Sequence, residues 1–287
     1  GGGGGGGTSA HPFHQHVNHF EITADDASGG AVYRRGEWRD VVPSVAGGTT
    51  FRFKPVDFIG DIVLHCHILQ HEDQGMMGLM KVSDCDNTGV TAMAAPTLSA
   101  LSDYDPTCTR LCPAVANLVD TSAAPTTPAV EPTTATPFMP STLTEPDVLD
   151  CRGQHVTLEV REHHLDIPGL VSFDTRAYYS NNKFHVPGPT IRAKAGEWCN
   201  VTIVNRLPAG QEMECAYAVN TTTFTHHSND FHCPDTTNLH THGLHVSPYQ
   251  DNIDTHINPG YEMTYTYSIP AHHLMGTHWY HAHHHGS

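Results

Sequence analysis

Twelve consecutive residues, His65-Cys66-His67-Ile68-Leu69-Gln70-His71-Glu72-Asp73-Gln74-Gly75-Met76, hold one cysteine, three histidines and a methionine. A thiolate from Cys66, an imidazole from His71 and a weak thioether from Met76 lack one imidazole to complete a trigonal copper site with a long axial methionine, the type used for one-electron transfer. If the run is a strand entering a loop, Cys66 points to one face and His65 and His67 to the other, because side chains alternate with period two. One strand would then serve two metal centres. A candidate for the missing imidazole lies in His11-Pro12-Phe13-His14-Gln15-His16. Proline keeps His11 extended and apart, whereas His14 and His16 share a face. Two more pairs, His240-Thr241-His242 and His281-Ala282-His283, repeat the i, i+2 spacing on expected strands.

The elements that must hold these pairs read as short strands and turns. Residues 31–34, 49–53, 60–64 and 75–82 alternate or carry Gly turns, as do 155–160, 187–205 and 261–269, and no stretch has the 3.6-residue period of a long helix. The texture is that of an all-β protein made of β-sandwiches. Gly1–Gly7 cannot pack and enters no fold argument. From residue 86 to 150 the composition turns to Thr, Pro and Ala, which predicts an extended linker. The expected divisions are therefore 1–7, 8–85, 86–150 and 151–287. Met77 and Met80 read as core packing, and His163, His164, His226, His227, His272 and His273 as surface residues.

Composition narrows the function classes. Twenty-five histidines outnumber the fourteen Lys plus Arg, and the formal charge of −16 offers no basic stripe to nucleic acid. No apolar run reaches the ~18–20 residues of a membrane span. Beside Cys66 stand Cys85, Cys108, Cys112, Cys151, Cys199, Cys215 and Cys233, an odd set that allows three disulfides and one remaining thiol. With sequons at Asn200 and Asn220, this predicts a secreted, disulfide-bonded glycoprotein.

The four histidine elements together resemble the multicopper oxidases, the family of laccases and ferroxidases. Its signatures H-x-H, H-x-H, H-P-x-H-x-H and H-C-H-x-x-x-H-x-x-x-x-M are all present, and similarity extends to Pro187-Gly188-Pro189-Thr190-Ile191, Gly276-Thr277, Trp279-Tyr280 and Gly286-Ser287. The resemblance implies cupredoxin-like Greek-key sandwiches, here two partial domains, and four copper ions. A type 1 copper would take His11, Cys66 and His71 with Met76 axial. His14 and His240 would hold a type 2 copper, and His16, His65, His67, His242, His281 and His283 a type 3 pair. Glu72 and Asp251 match the family's proton-relay carboxylates. The implied partners are O2 and a small reducing substrate, phenolic or Fe(II)/Cu(I).

The signatures stand in the order three, four, one, two, whereas the family carries one and two first. A fragment of a tandem oxidase gives this order, as does circular permutation or a stitched chain. In a tandem array each cluster is completed by neighbouring oxidase-like domains outside these residues; in a permuted chain the halves meet within the chain or across a subunit interface. A flexible linker of about 65 residues spans roughly 45 Å and permits either. Half-sandwiches with unpaired edges lead to the expectation of no stable isolated enzyme. The other functional class is a structural or assembly protein of oxidase-like repeats with vestigial copper.

Overall fold

The computed structural model describes residues 11–26, 32–44, 48–73, 75–83, 98–100, 145–209 and 234–284. Outside the described residues lie Gly1–Gly7, most of the expected linker, the sequon at Asn220, His226, His227, and Cys85, Cys108, Cys112, Cys215 and Cys233.

The first half contains β1 (His11–Gln15), β2 (Phe20–Ile22), β3 (Trp38–Arg39), β4 (Val41–Ser44), β5 (Phe51–Arg52), β6 (Gly60–Cys66), α1 (Leu69–Asp73) and β7 (Met77–Val82). Then come β8 (Leu98–Ala100), β9 (Val148–Asp150), β10 (Gln154–Ile167), β11 (Val171–Ser180), β12 (Lys183–His185), β13 (Thr190–Arg192) and β14 (Trp198–Asn205). The last elements are β15 (His240–His242), α2 (Pro248–Asp251), β16 (Tyr261–Ser268) and β17 (Trp279–His281). The all-β expectation is met, with two short helices among the described residues. No described helix is long and apolar enough to cross a membrane.

In the first half, β4-β1-β6-β7 form one sheet and β3-β2-β5 another. Phe20, Ile22, Tyr33 and Val42 are buried between them, with Phe13, Phe51 and Phe53 packed against them. β1 and β6 are antiparallel with Phe13 opposite Cys66 and His14 opposite His65. Directly opposed residues share a face, so the pleat places His14 and His65 on one side and Cys66 on the other.

The second half is organised by the sheet β12-β11-β10-β14-β16-β8. β14 alternates little because both its faces are covered: Val201 and Ile203 are buried on one, Thr202 and Val204 on the other. A disulfide between Cys151 and Cys199 ties the start of this sheet to the β9 turn, and Cys66 is a free cysteine. β15 and β17 pair with His240 opposite His281.

The halves meet where α2 lies on the start of β6. Gly60 has φ +128°, and a Cβ there would stand 2.9 Å from both Pro248 Cγ and Tyr249 Cε2. Only a residue without a side chain permits that approach.

Several expectations change. Residues 69–73 form a helical turn instead of a loop, with the Glu72 N–H bonded to Ile68 O at 3.0 Å. Neighbouring helical residues diverge by about 100°, which lets His71 and Glu72 serve different centres. Residues 32–34 are not a strand, and 49–53 shrinks to Phe51–Arg52. His16, His67 and His283 lie just past their strands. Within the expected linker, β8 pairs with β16: main-chain bonds at an open edge need no apolar composition. Met77 is 42% exposed and does not pack in a core, because β7 is the outer strand of its sheet. Asn200 of the expected sequon sits in β14 between two paired strands and is half-buried.

Candidate metal centre

On one face of β6, Cys66 Sγ lies 3.5 Å from His11 Nδ1 and 3.7 Å from His71 Nδ1, and the two nitrogens are 3.1 Å apart. The point equidistant from all three is about 2 Å from each, close to the ~2.0–2.3 Å of nitrogen and thiolate bonds to a transition metal. Three main-chain bonds position the trio. The Cys66 N–H donates to Met76 O at 3.0 Å, the Met76 N–H to His71 O at 2.9 Å, and the His67 N–H to Pro12 O at 2.7 Å. Met76 thus borders the trio through its backbone, and the residue is 47% exposed.

On the opposite face the four histidine pairs converge inside one chain. Three groups each bring their donor atoms within 4.8 Å of one another: His14, His16 and His240; His16, His65 and His283; and His67, His242 and His281. Residues from both halves stand in every group. His14 stacks on His242 with centroids 3.8 Å apart, and His16 on His240 at 4.0 Å. Of the two arrangements the signature order allowed, the described residues show the halves meeting.

Hydrogen bonding fixes which nitrogen faces inward. His14 Nδ1 donates to Asp40 O at 3.0 Å, His281 Nδ1 to Ala282 O at 2.7 Å, and His240 Nδ1 to the Asp251 carboxylate. Carbonyls and carboxylates only accept, so the other ring nitrogen of each carries the lone pair. His14 Nε2, His67 Nε2, His240 Nε2, His242 Nδ1 and His281 Nε2 are all buried without a hydrogen-bond partner. His65 Nε2 faces His16 Nε2 at 3.2 Å and His283 Nε2 at 3.3 Å. Buried polar atoms are seldom left unpaired, and inward lone pairs backed by acceptors are the arrangement of metal-bound imidazoles. These residues fit copper.

Electrostatics agree. Burial drives the histidine pKa values down, His14 to about 2 and His281 to about 4, with neighbouring imidazoles adding to the effect. His16 and His240 are lowered for the same reason. The two carboxylates diverge. Burial pushes Asp251 up to about 6, although it accepts 3.0 Å bonds from Thr241 N and Thr241 Oγ1. Burial also opposes charge on Glu72, but His65 Nδ1 at 3.1 Å and His283 Nδ1 at 3.5 Å outweigh it and hold that carboxyl below its ordinary value. Both expected carboxylates therefore touch outer nitrogens of the cluster.

Asp40 was not foreseen. Its Oδ2 lies 3.1 Å from His242 Nε2, and its own carbonyl holds His14. Burial opposes its ionisation, yet the hydrogen bond from His242 and the nearby His14 bring it to about 2. No spacing marks Asp40, since it reaches the cluster by the pairing of β4 with β1. Trp279 was seen as flanking sequence; its ring stacks on His281 at 4.2 Å.

Family models described as multicopper oxidase match residues 4–86 and 217–287, together just over half of the chain. A multicopper oxidase of Staphylococcus haemolyticus is 38% identical over 79 residues, 27% of this chain and 17% of that protein. Laccase-1 of Agaricus bisporus is 36% identical over 81 residues, 28% of this chain and 15% of that protein. The chain thus matches about one sixth of the length of these relatives. The crystal structure of a multicopper oxidase from Aquifex aeolicus aligns with 50% of this chain and 25% of its own, at 20% identity and a TM-score of 0.35. With both family models matched on the segments that carry the histidine pairs, the chain belongs to the multicopper oxidase family.

Proposed function

We propose that the chain binds four coppers and couples one-electron oxidation of a small reductant to reduction of O2 to water. The supporting observation is the convergence of eight imidazoles from both halves, several with unpartnered lone pairs, behind a strand whose other face carries His11, Cys66 and His71. In this reading His11, Cys66 and His71, with Met76 beside them, would hold one copper, and His14, His16, His65, His67, His240, His242, His281 and His283 would hold the other three. Bound copper supplies electron acceptance at the trio and four-electron chemistry at the cluster.

The protein's own part is orientation and proton handling. Cys66 is bonded in sequence to both His65 and His67, which makes the backbone of three residues the connection between the sites. Glu72 stays anionic and fixes His65 and His283, while Asp251 exchanges a proton near pH 6 at the Oδ2 that meets His240 Nδ1. A cavity of about 160 Å³ lined by His16, Asp61, Asp251 and Asp254 gives this carboxylate an acidic approach from solvent. Carboxylates whose environments separate their pKa values suit paired acid and base roles.

We read the reductant as a phenol or a ferrous or cuprous ion, and the compartment as extracellular, in keeping with the Cys151–Cys199 disulfide. Elemental analysis with oxygen-electrode measurements on a full-length preparation tests the proposal. Four coppers per chain and reductant-dependent O2 uptake are expected; a copper-free chain, or copper without O2 uptake, favours a structural role instead.

A further inference from the structure

Away from the histidine cluster, a second set of metal-type donors converges where the halves touch. His245 Nε2 and His272 Nε2 each lie 2.8 Å from the same oxygen, Asp57 Oδ2. Asp57 belongs to the loop before β6; His245 follows β15 and His272 follows β16. The other nitrogen of His245 is 2.8 Å from Val17 O. A carbonyl only accepts, so Nδ1 carries the hydrogen, and a neutral His245 turns a lone pair toward a carboxylate that also only accepts. The contact needs positive charge between the two acceptors, either a second proton on His245 or a bound cation shared with His272.

Further features show that the place is built. His245 is buried, its N–H donates to His273 Nε2 at 2.9 Å, and its ring packs on Phe58 at 4.9 Å. Val17 and Asp57, the two residues that hold its ring nitrogens, both have φ +67°. Non-glycine residues keep that conformation only where the surroundings enforce it. His272, by contrast, has a side chain 65% exposed, so one side of the convergence opens to solvent.

We propose that Asp57, His245 and His272 bind a divalent cation of the zinc class and so clasp the two halves together. Two imidazoles and a carboxylate with an open fourth place for water is a donor set that zinc takes. The Val17 carbonyl behind His245 fixes the ring as acceptors behind metal-bound histidines do. With bonds of about 2.0–2.1 Å, tetrahedral donors stand about 3.3 Å apart, so binding separates each contact by only about half an ångström. Val17 adjoins His16, and His245 lies three residues beyond His242. The cation would therefore brace two ligand-bearing loops without belonging to the copper cluster.

Equilibrium dialysis of the copper-treated chain against Zn2+, followed by elemental analysis, tests this on wild type, His272→Ala and Asp57→Asn. Wild type should retain one zinc more than either variant, and the variants should bind that zinc about tenfold or more weakly. Zn2+ should also raise the Tm of wild type more than that of His272→Ala, whose exposed side chain can be removed without unfolding the chain. The readout is a difference, so zinc entering any unfilled copper site adds equally to all three and leaves it legible. Equal zinc content and equal Tm shifts in the three proteins would overturn the proposal and identify the cation between His245 and Asp57 as a proton.

Discussion

Asp251 touches the cluster at one atom and is anchored by Thr241 at another, so its charge and its position can be separated by mutation. Asp251→Asn keeps an acceptor for Thr241 but cannot carry a proton at the oxygen facing His240. We expect O2 uptake to drop about 10–100-fold, the range for residues that support metal ligands, with the Cys66 absorption of the oxidised protein unchanged. Wild-type turnover in this variant would remove Asp251 from proton delivery. Asp40→Asn tests the carboxylate at His242 in the same way; because Asp40 is held ionised down to about 2, its loss should weaken copper retention without shifting the pH profile. The contrast between these acids explains what could be read in advance. Histidine pairs at i, i+2 declare themselves because the period of a strand is the same everywhere, and Asp251 and Glu72 stand at fixed offsets from them. Asp40 and His245 act through the register of β4 on β1 and through loop contacts across the halves. Those are properties of pairing, not of spacing.

Two glycines in the left-handed range separate backbone strain from packing between elements. Gly60 carries β6 against α2, where a Cβ would meet Pro248 and Tyr249, while Gly36 has φ +89° and nothing within 4 Å of the same position. Gly36→Ala should cost about 1 kcal/mol from backbone conformation alone. Gly60→Ala adds overpacking and should cost about 2 kcal/mol or more, measured as the difference in urea unfolding. It should also loosen copper retention, because α2 ends at Asp251. Equal effects from the two substitutions would show that the contact between α2 and β6 is not tight. Strands bearing the histidine pairs could be predicted from alternation and turn residues, but α1 could not: five residues give too little sequence for a helical period to appear. β8 escaped notice for the opposite reason, since an edge partner is chosen by open main-chain groups.

At the scale of the whole molecule, the centre is held by imidazoles kept neutral in a buried space, and this sets how the metal-free protein meets acid. His14, His16, His240 and His281 all have folded pKa values below the ordinary 6.5, His281 at about 4 and His14 at about 2. As pH falls through 6.5 the unfolded chain takes up protons that the folded chain refuses, and each such histidine removes up to about 1.4 kcal/mol of stability per pH unit until its folded value is reached. Asp251 acts in the other direction. Its folded value of about 6 lies above the ordinary 3.8, so the stability it contributes is lost as pH rises through 6 and regained on acidification. Four histidines outweigh one carboxyl, and the urea midpoint of the metal-free protein should fall steadily from pH 6.5 to 5. His281→Gln should flatten that fall. Copper requires the same lone pairs that protons would take, so the loaded protein should unfold at higher urea at pH 7 and release its metal over the acid range in which the metal-free protein weakens. A metal-free midpoint independent of pH between 6.5 and 5 would mean that the imidazoles are not held neutral by burial, and that the two halves do not close around them in solution.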